Sequence, residues 1–428
     1  MKRFAVLLIM AVMVVGLAFA GGQGEMDAME IPAYDPDQEY TVSMGVYGDL
    51  EAAYKAVIAT EDFKNTFPNV TVEFQTSDFG GHHDRLTTVL AANEATNDIE
   101  ALEVGFIARF VEGGGLTNLA QAPFNGMSVG EDLVSYAMAN ATTTEGALVA
   151  MPVDVAPAVM FYRESLVREA GVDPAEIENA EDWDDLIAVA EKLGDAGQTA
   201  FPHANDVALV PLNGGKGGWF QDGEPLEPKE RFIEALELVE EIRDRGLDAD
   251  YGAWSGPWTE SFKNGDVALM INGAWFGGAL RTWMAPEVDD WRVTYIPGEF
   301  PAALGGTYLG IPEQVPADKK AVAWEIIKYL TTSESAQLTT FATIDAYPAL
   351  TTTYDDPIMS EGVAYFGNEP VREIFADVAE SMPSAQVTEH DATALAIWNN
   401  TVTAVITDQM GVEEAYDEAK MQILATIQ

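Results

Sequence analysis

The chain has 428 residues and no cysteine, so no disulfide holds it, and the lipid-modified cysteine of a lipoprotein is ruled out. Histidine is almost as scarce, at His82, His83, His203 and His390. Adjacent side chains diverge on most backbones and a zinc site wants three or four convergent ligands, so His82 and His83 with Asp84 are not read as a metal site. Positive charge is short as well: 22 basic residues against 70 acidic ones leave a net charge of -48. A field of that sign repels phosphate backbones and anionic headgroups, which argues against nucleic-acid or peripheral membrane binding. Enzyme signatures are missing too. The chain has no phosphate-binding Gly-x-x-x-x-Gly-Lys loop, no Gly-x-Ser-x-Gly elbow, no His-Glu-x-x-His helix and no EF-hand loop. The glycine clusters 113–115 and 213–218 lack a strand-to-helix setting and read as turns. Beyond the N-terminus no run is apolar enough to span a bilayer.

Lys2 and Arg3 precede an apolar run from Phe4 to Val15, then Gly16 and Ala18-Phe19-Ala20. That order predicts a secretory signal peptide over 1–20, cleaved after Ala20, and a flexible start over 21–38. The remaining length suits two domains better than one. The acidic excess is spread along the chain and reads as a solvated surface, of a kind that keeps an exported protein soluble where salt screens its self-repulsion. Strands are predicted at Tyr40–Val46, Val70–Phe74 and Ile99–Val104, with helical patterns over 50–67 and 85–92 between them. Such alternation argues for parallel βαβ units. Further strands are predicted at Pro157–Tyr162 and Val267–Ile271. Helices over 182–193 and 229–245 stop at Gly194 and Gly246. From about residue 317 the pattern turns mainly helical, over 321–330, 371–379 and 394–406. The fold class is therefore α/β with a helical C-terminal third.

Six of the nine tryptophans, from Trp219 to Trp291, fall within 73 residues, several beside glycine. A glycine-flanked indole on a loop has few neighbours to bury it unless something docks on its face. The C–H face of a sugar does this while its hydroxyls meet carboxylates and amides at the edge. That reading singles out Trp219, Trp254 and Trp275. Trp183, Trp283 and Trp324 are expected in the core, and Trp258 and Trp291 are open to either role.

Four segments then resemble family 1 of the extracellular solute-binding proteins of carbohydrate ABC importers, the maltose-binding-protein-like family. They are Arg85 to Leu119, with Asn97-Asp98 where the family has Pro-Asp; Gly146 to Asp173, continuing into the Trp183 helix with Asp182 in place of threonine; Ser261 to Leu280, with Leu269 at the usual methionine; and Gly305 to Gln337, followed by Tyr347-Pro348. The resemblance implies two discontinuous lobes joined by a multi-strand hinge, 39–154 with 306–354 and 155–305 with 355–428. It also implies a ligand cleft that closes by hinge motion. Carried over position by position, the cleft residues are Phe79, Gly80, Glu103, Asp154, Trp219, Trp254, Trp275, Gly306, Thr307, Tyr308, Tyr347 and Trp398. Phe79 and Gly80 are placed on a loop with His83. The implied protein is a periplasmic monomer that binds a mono- or oligosaccharide, needs no cofactor or metal, is not an enzyme, and hands its ligand to membrane permease subunits. The alternatives are a non-sugar solute such as glycerol phosphate or a polyamine, and a secreted carbohydrate-active enzyme using Glu103 and Asp154.

Overall fold

A computed structural model describes residues 31–427 apart from 112, 215–217, 385–387 and 389. The leader over 1–20, most of the segment over 21–38 and the middle of the 213–218 glycine cluster lie outside the described residues. No helix among the described residues is long and apolar enough to cross a membrane.

The first sheet begins with β1 (Tyr40–Tyr47), β2 (Val70–Ser77) and β3 (Ile99–Glu103), β1 lying parallel to both of the others. Val42, Met44 and Val46 alternate into the core, which is why the period-two pattern was legible there. The helical pattern over 50–67 is in fact two helices, Leu50–Ala59 and Glu61–Thr66. The break falls at Thr60, an extended residue whose side chain accepts from Phe63 N and caps the second helix. The next helix, Phe79–Ala91, starts six residues before the predicted one because Asp78 caps it by accepting from Gly81 N. Phe79 and Gly80 thus stand in a helix's first turn, not on a loop.

The longest strand is β4 (Ala150–Arg163), buried along almost its whole length. Sequence reading recovered only its second half, since Pro152 and Asp154 interrupt the apolar run of the first. Its partners are β5 (Leu269–Gly273), β6 (Trp291–Thr294), β7 (Ala303–Gly310) and β8 (Tyr347–Pro348), all antiparallel to it. The first half of β4 lies between β7 and β8, and the second half between β5 and β6. β7 also pairs with β3, so the order β8-β4-β7-β3-β1-β2 carries the first sheet while β4 runs on into the second. Beyond the crossing, Ala158, Met160 and Tyr162 point into one apolar core and Val159 and Phe161 into the other. Two α/β lobes with a multi-strand hinge result, and from Ala317 the chain is helical apart from β8 and short turns.

The β4–β7 ladder slips twice, between Pro152 and Asp154 and between Val155 and Pro157. Neither proline can donate to a ladder; they face Tyr308 and Ala303, and on β7 between those two partners Gly305 (φ +126°) and Gly306 (φ +133°) adopt backbone angles that side-chain-bearing residues avoid. A Cβ on Gly273 would stand 2.7 Å from Leu304 O and 2.8 Å from Ala156 Cβ, so glycine there lets β5 close onto the crossing. Gly273→Ala is expected to destabilise the protein by about 1–3 kcal/mol through overpacking, read as a lower thermal unfolding midpoint. Gly252→Ala, where the new methyl meets open space, should leave the midpoint unchanged.

Candidate functional site

Thr307 on β7 is paired with Glu103 at the end of β3 on one side and with Asp154 on β4 on the other. Residues directly opposite in a ladder share a face, so Glu103, Thr307 and Asp154 form one row, with the two acids about 10 Å apart at their Cα atoms. The row sits where the strand ladder is irregular, and there Thr307 N–H donates to the Asp154 side chain.

Each group in the row is held by the protein through one atom. Asp154 Oδ1 accepts from Thr307 N at 3.0 Å, while Oδ2 is buried with no hydrogen-bond partner. Glu103 Oε2 accepts from Gly105 N at 2.7 Å. Thr307 Oγ1 lies 3.1 Å from the Tyr47 hydroxyl at the end of β1. Burial pushes both carboxyls up to about 7, against the counter-effects of Gly105 N–H on Glu103 and of Thr307 on Asp154. Glu103 backbone N–H donates to His83 Nε2 at 3.0 Å, and His83 Nδ1 is 2.8 Å from Phe79 O, an arrangement that requires the neutral Nδ1–H tautomer. Burial, ahead of its charged neighbours, pushes His83 down to about 4, and its ring stacks on Phe106 at 4.0 Å between centroids. His82 Nε2 bonds Ala101 O at 2.7 Å, so both adjacent imidazoles are spent on the protein's own backbone. Phe79, 47% exposed, meets the Tyr47 ring edge-on and caps this end of the row.

Across the hinge stands an aromatic group. Trp254 is 62% exposed and holds a positive φ of 65°, an uncommon angle for a bulky residue. Its indole stacks on Trp275 at 5.6 Å and 16°, and lies 5.2 Å from Trp258. Trp275 Nε1 donates to Leu304 O at 2.9 Å, next to Gly305, which ties the platform to the strand that carries Thr307. Trp258 is buried and its Nε1 donates to Asp206 Oδ2 at 3.2 Å.

The structure therefore brings together Glu103, Asp154, Gly306 and Thr307, with Phe79 and Gly80 at one end and Trp254 and Trp275 at the other. Other expected contacts are seated elsewhere. Tyr347 is buried in the first core, its hydroxyl donating to Arg372 O at 3.0 Å, because β8 pairs against β4 there. Tyr308 turns into the first core, on the face opposite Thr307, as strand alternation requires. Trp398 is buried in the second core against Phe232, and Trp219, half-buried, packs beside it. Trp324, Trp258 and Trp291 are core residues, whereas Trp283, expected inside, is 52% exposed. Sequence reasoning missed Tyr47 and Asp206. Tyr47 could have been found as the last residue of an alternating strand, but nothing marked Asp206 among 70 acids. Among the described residues, one group, His203, Asp248 and Asp250, has metal-ligand spacing, but the Arg243 guanidinium already binds both carboxylates at 2.8 Å.

Comparison with known proteins follows the same lines. The family model described as bacterial extracellular solute-binding protein matches residues 59–367. The arabinooligosaccharide-binding protein of Halalkalibacterium halodurans is 23% identical over 391 residues, 86% of this chain and 86% of that one. A crystal structure of an extracellular solute-binding protein of family 1 superposes with a TM-score of 0.78 at 20% identity, covering 91% of this chain and all of that one. Maltose-bound MalE3 of T. maritima superposes with a TM-score of 0.73 at 22% identity, over 90% of this chain and 99% of the other.

The raised carboxyls have a thermodynamic consequence. Between the ordinary Asp value of 3.8 and about 7, folded Asp154 binds a proton that the unfolded chain releases, so its contribution to stability falls as pH rises through that window. Asp154→Asn keeps an acceptor for Thr307 N–H and removes the ionisation. Its unfolding midpoint relative to the parent should therefore rise from pH 5 to pH 8. A difference that stays flat across that range would show Asp154 titrating as an ordinary carboxyl.

Proposed function

The chain belongs to the bacterial extracellular solute-binding proteins, and from that premise we propose that it captures a sugar between its two lobes and delivers it to the permease of an ABC importer. The observation that carries this reading is the pairing of an exposed indole stack, Trp254 on Trp275, with a row of single-tethered acceptors, Glu103, Thr307 and Asp154. A pyranose or furanose ring offers both matching surfaces, apolar C–H groups for the indoles and hydroxyl hydrogens for the acceptors. The irregular β4–β7 ladder with Gly305 and Gly306 is where the two halves would hinge, and closure would trap the ligand because only the closed form contacts it from both sides.

The arabinooligosaccharide specificity of the relative makes arabinose oligomers the first ligands to try. A phosphorylated solute is disfavoured, since among the described residues no cation enters the electrostatics of Glu103 or Asp154. The family is one of binding proteins, so the enzyme alternative for the two carboxyls has no support from it. In this reading the protein works outside the cell membrane as a monomer, after loss of the leader through Ala20.

Titration of tryptophan fluorescence with arabinotriose, maltotriose and galactobiose tests the assignment. At least one should bind and be recovered unchanged. Trp254→Ala and Trp275→Ala should each weaken that sugar by about tenfold or more, the loss of one aromatic stacking partner. Release of monosaccharide, or full affinity in both variants, would overturn it.

A further inference from the structure

Arg281 and Asp345 meet from opposite sides of the β4–β7 joint. Arg281 stands in a π-helical turn, Leu280–Met284, which extends the helix Trp275–Ala279; that helix follows β5, a partner of the second half of β4. Asp345 ends the helix Glu334–Ile344, which packs against Leu50–Ala59 of the first lobe, and it leads into β8, a partner of the first half of β4. The Arg281 guanidinium donates to Asp345 Oδ2, and the two side chains keep only 35% and 15% of their exposure. Among the described residues this is the one ion pair that joins the first lobe to the second.

The surfaces around the pair are shaped to it. A Cβ on Gly278, one turn before Arg281, would stand 2.7 Å from Asp345 Cβ, so only glycine lets the helix come this close. The π-helical turn, closed by Ala285 N donating to Leu280 O at 3.0 Å, is a rare element that recurs at functional places. Asp345 itself holds a left-handed φ of 56°, an angle that aspartate tolerates better than most residues. A cavity of about 20 Å3 remains beside the pair, between Phe341 of the first lobe and Ala274 and Gly277 of the second, so the seam is touched across but not filled. Arg372, the other cation lining it, lies over the Phe341 ring at 5.1 Å and donates to Ile358 O at 2.7 Å, which leaves Asp345 to Arg281.

Short stretches of chain tie both partners to the cleft. Trp275 opens the helical run that carries Arg281, and Tyr347, just after Asp345, is paired with Val155 beside Asp154. The helix Val104–Val111, which follows Glu103, packs against Asp391–Ile406 of the second lobe, so the lobes also touch beside the row. A rotation at the β4–β7 joint carries Gly278 and Arg281 past Asp345 and separates the pair. We propose that Arg281 and Asp345 form an interlobe clasp, which holds the lobes in the arrangement seen here and thereby sets how often the protein is ready to enclose a ligand. The pair stabilises that arrangement alone, so it shifts a population between arrangements. Apparent affinity scales with the fraction of protein in the competent arrangement, and the clasp therefore tunes binding without touching the ligand.

The absence of native cysteine lets Glu94→Cys in the first lobe and Asp244→Cys in the second, both at exposed positions, carry spin labels. Their separation, read by pulsed electron resonance without added sugar, reports the arrangement of the lobes. Asp345→Asn and Arg281→Gln, each checked by circular dichroism to be folded, should both move part of the population away from the separation of this structure. The double variant should move no more than either single one, since the same interaction is lost in all three. Affinity for a sugar that the parent binds should fall by one common factor in the three, about two- to fivefold. Distances unchanged in both single variants, or shifts that add in the double variant, would overturn the clasp. The distances are measured without sugar, so their outcome is separate from that of the sugar reading.

Discussion

Everything in this molecule depends on how β4 is paired. One strand runs between β7 and the edge strand β8 of the first sheet with its first half and between β5 and β6 with its other half. A fully regular ladder over that length would make the two lobes one stiff slab. Two register slips, two prolines without N–H groups and two glycines at positive φ prevent this at a single place. The same irregularity that loosens the joint also leaves Asp154 and Thr307 with polar atoms to spare. Hinge and binding row are thus one structural event and not two features set side by side.

The electrostatics follow from that placement. An interior-strand position buries Asp154 and a strand-end position partly buries Glu103, with Tyr47 and Tyr308 near both, which raises the cost of their charge. Elsewhere on the molecule acids are mostly matched or solvated; Lys319 with Asp98 and Arg163 with Asp290 are examples. An unmatched buried acid is therefore an exception here, even in so acidic a chain. The aromatic side is organised in the same way: Trp258 is anchored inside, and the exposed Trp254 contacts both it and Trp275, which is fixed to a backbone carbonyl.

How far the sequence foretold this depended on whether local pattern or tertiary environment decides the outcome. β1 and β2 were legible because one face of each is more buried than the other, whereas β3, buried on both faces, was placed as a short run after a helical pattern. The first half of β4 was not legible, because Pro152 and Asp154 break up its apolar run and burial on both faces leaves no period to read instead. Glu103, Asp154 and Thr307 came from the resemblance, Trp254 and Trp275 first from their glycine-flanked setting, and the five converge in space. Trp398 and Tyr347 came from the resemblance too and are core residues, since a family position fixes where a residue lies along the chain and not which way its side chain turns. Asp206, which holds the buried Trp258 from 52 positions away, carried no local mark at all.

The pairing of β7 has a consequence for biosynthesis. β3 and β4 are not neighbours; β7 is inserted between them and bonds both. Until Ala303–Gly310 has been made, the first sheet has an open seam, and β3 presents an unpaired edge. Loop closure over such separations is slow, so the growing chain stays unlatched through most of its synthesis. In a protein of an extracellular family, late closure of that seam postpones the latched fold until most of the chain is available.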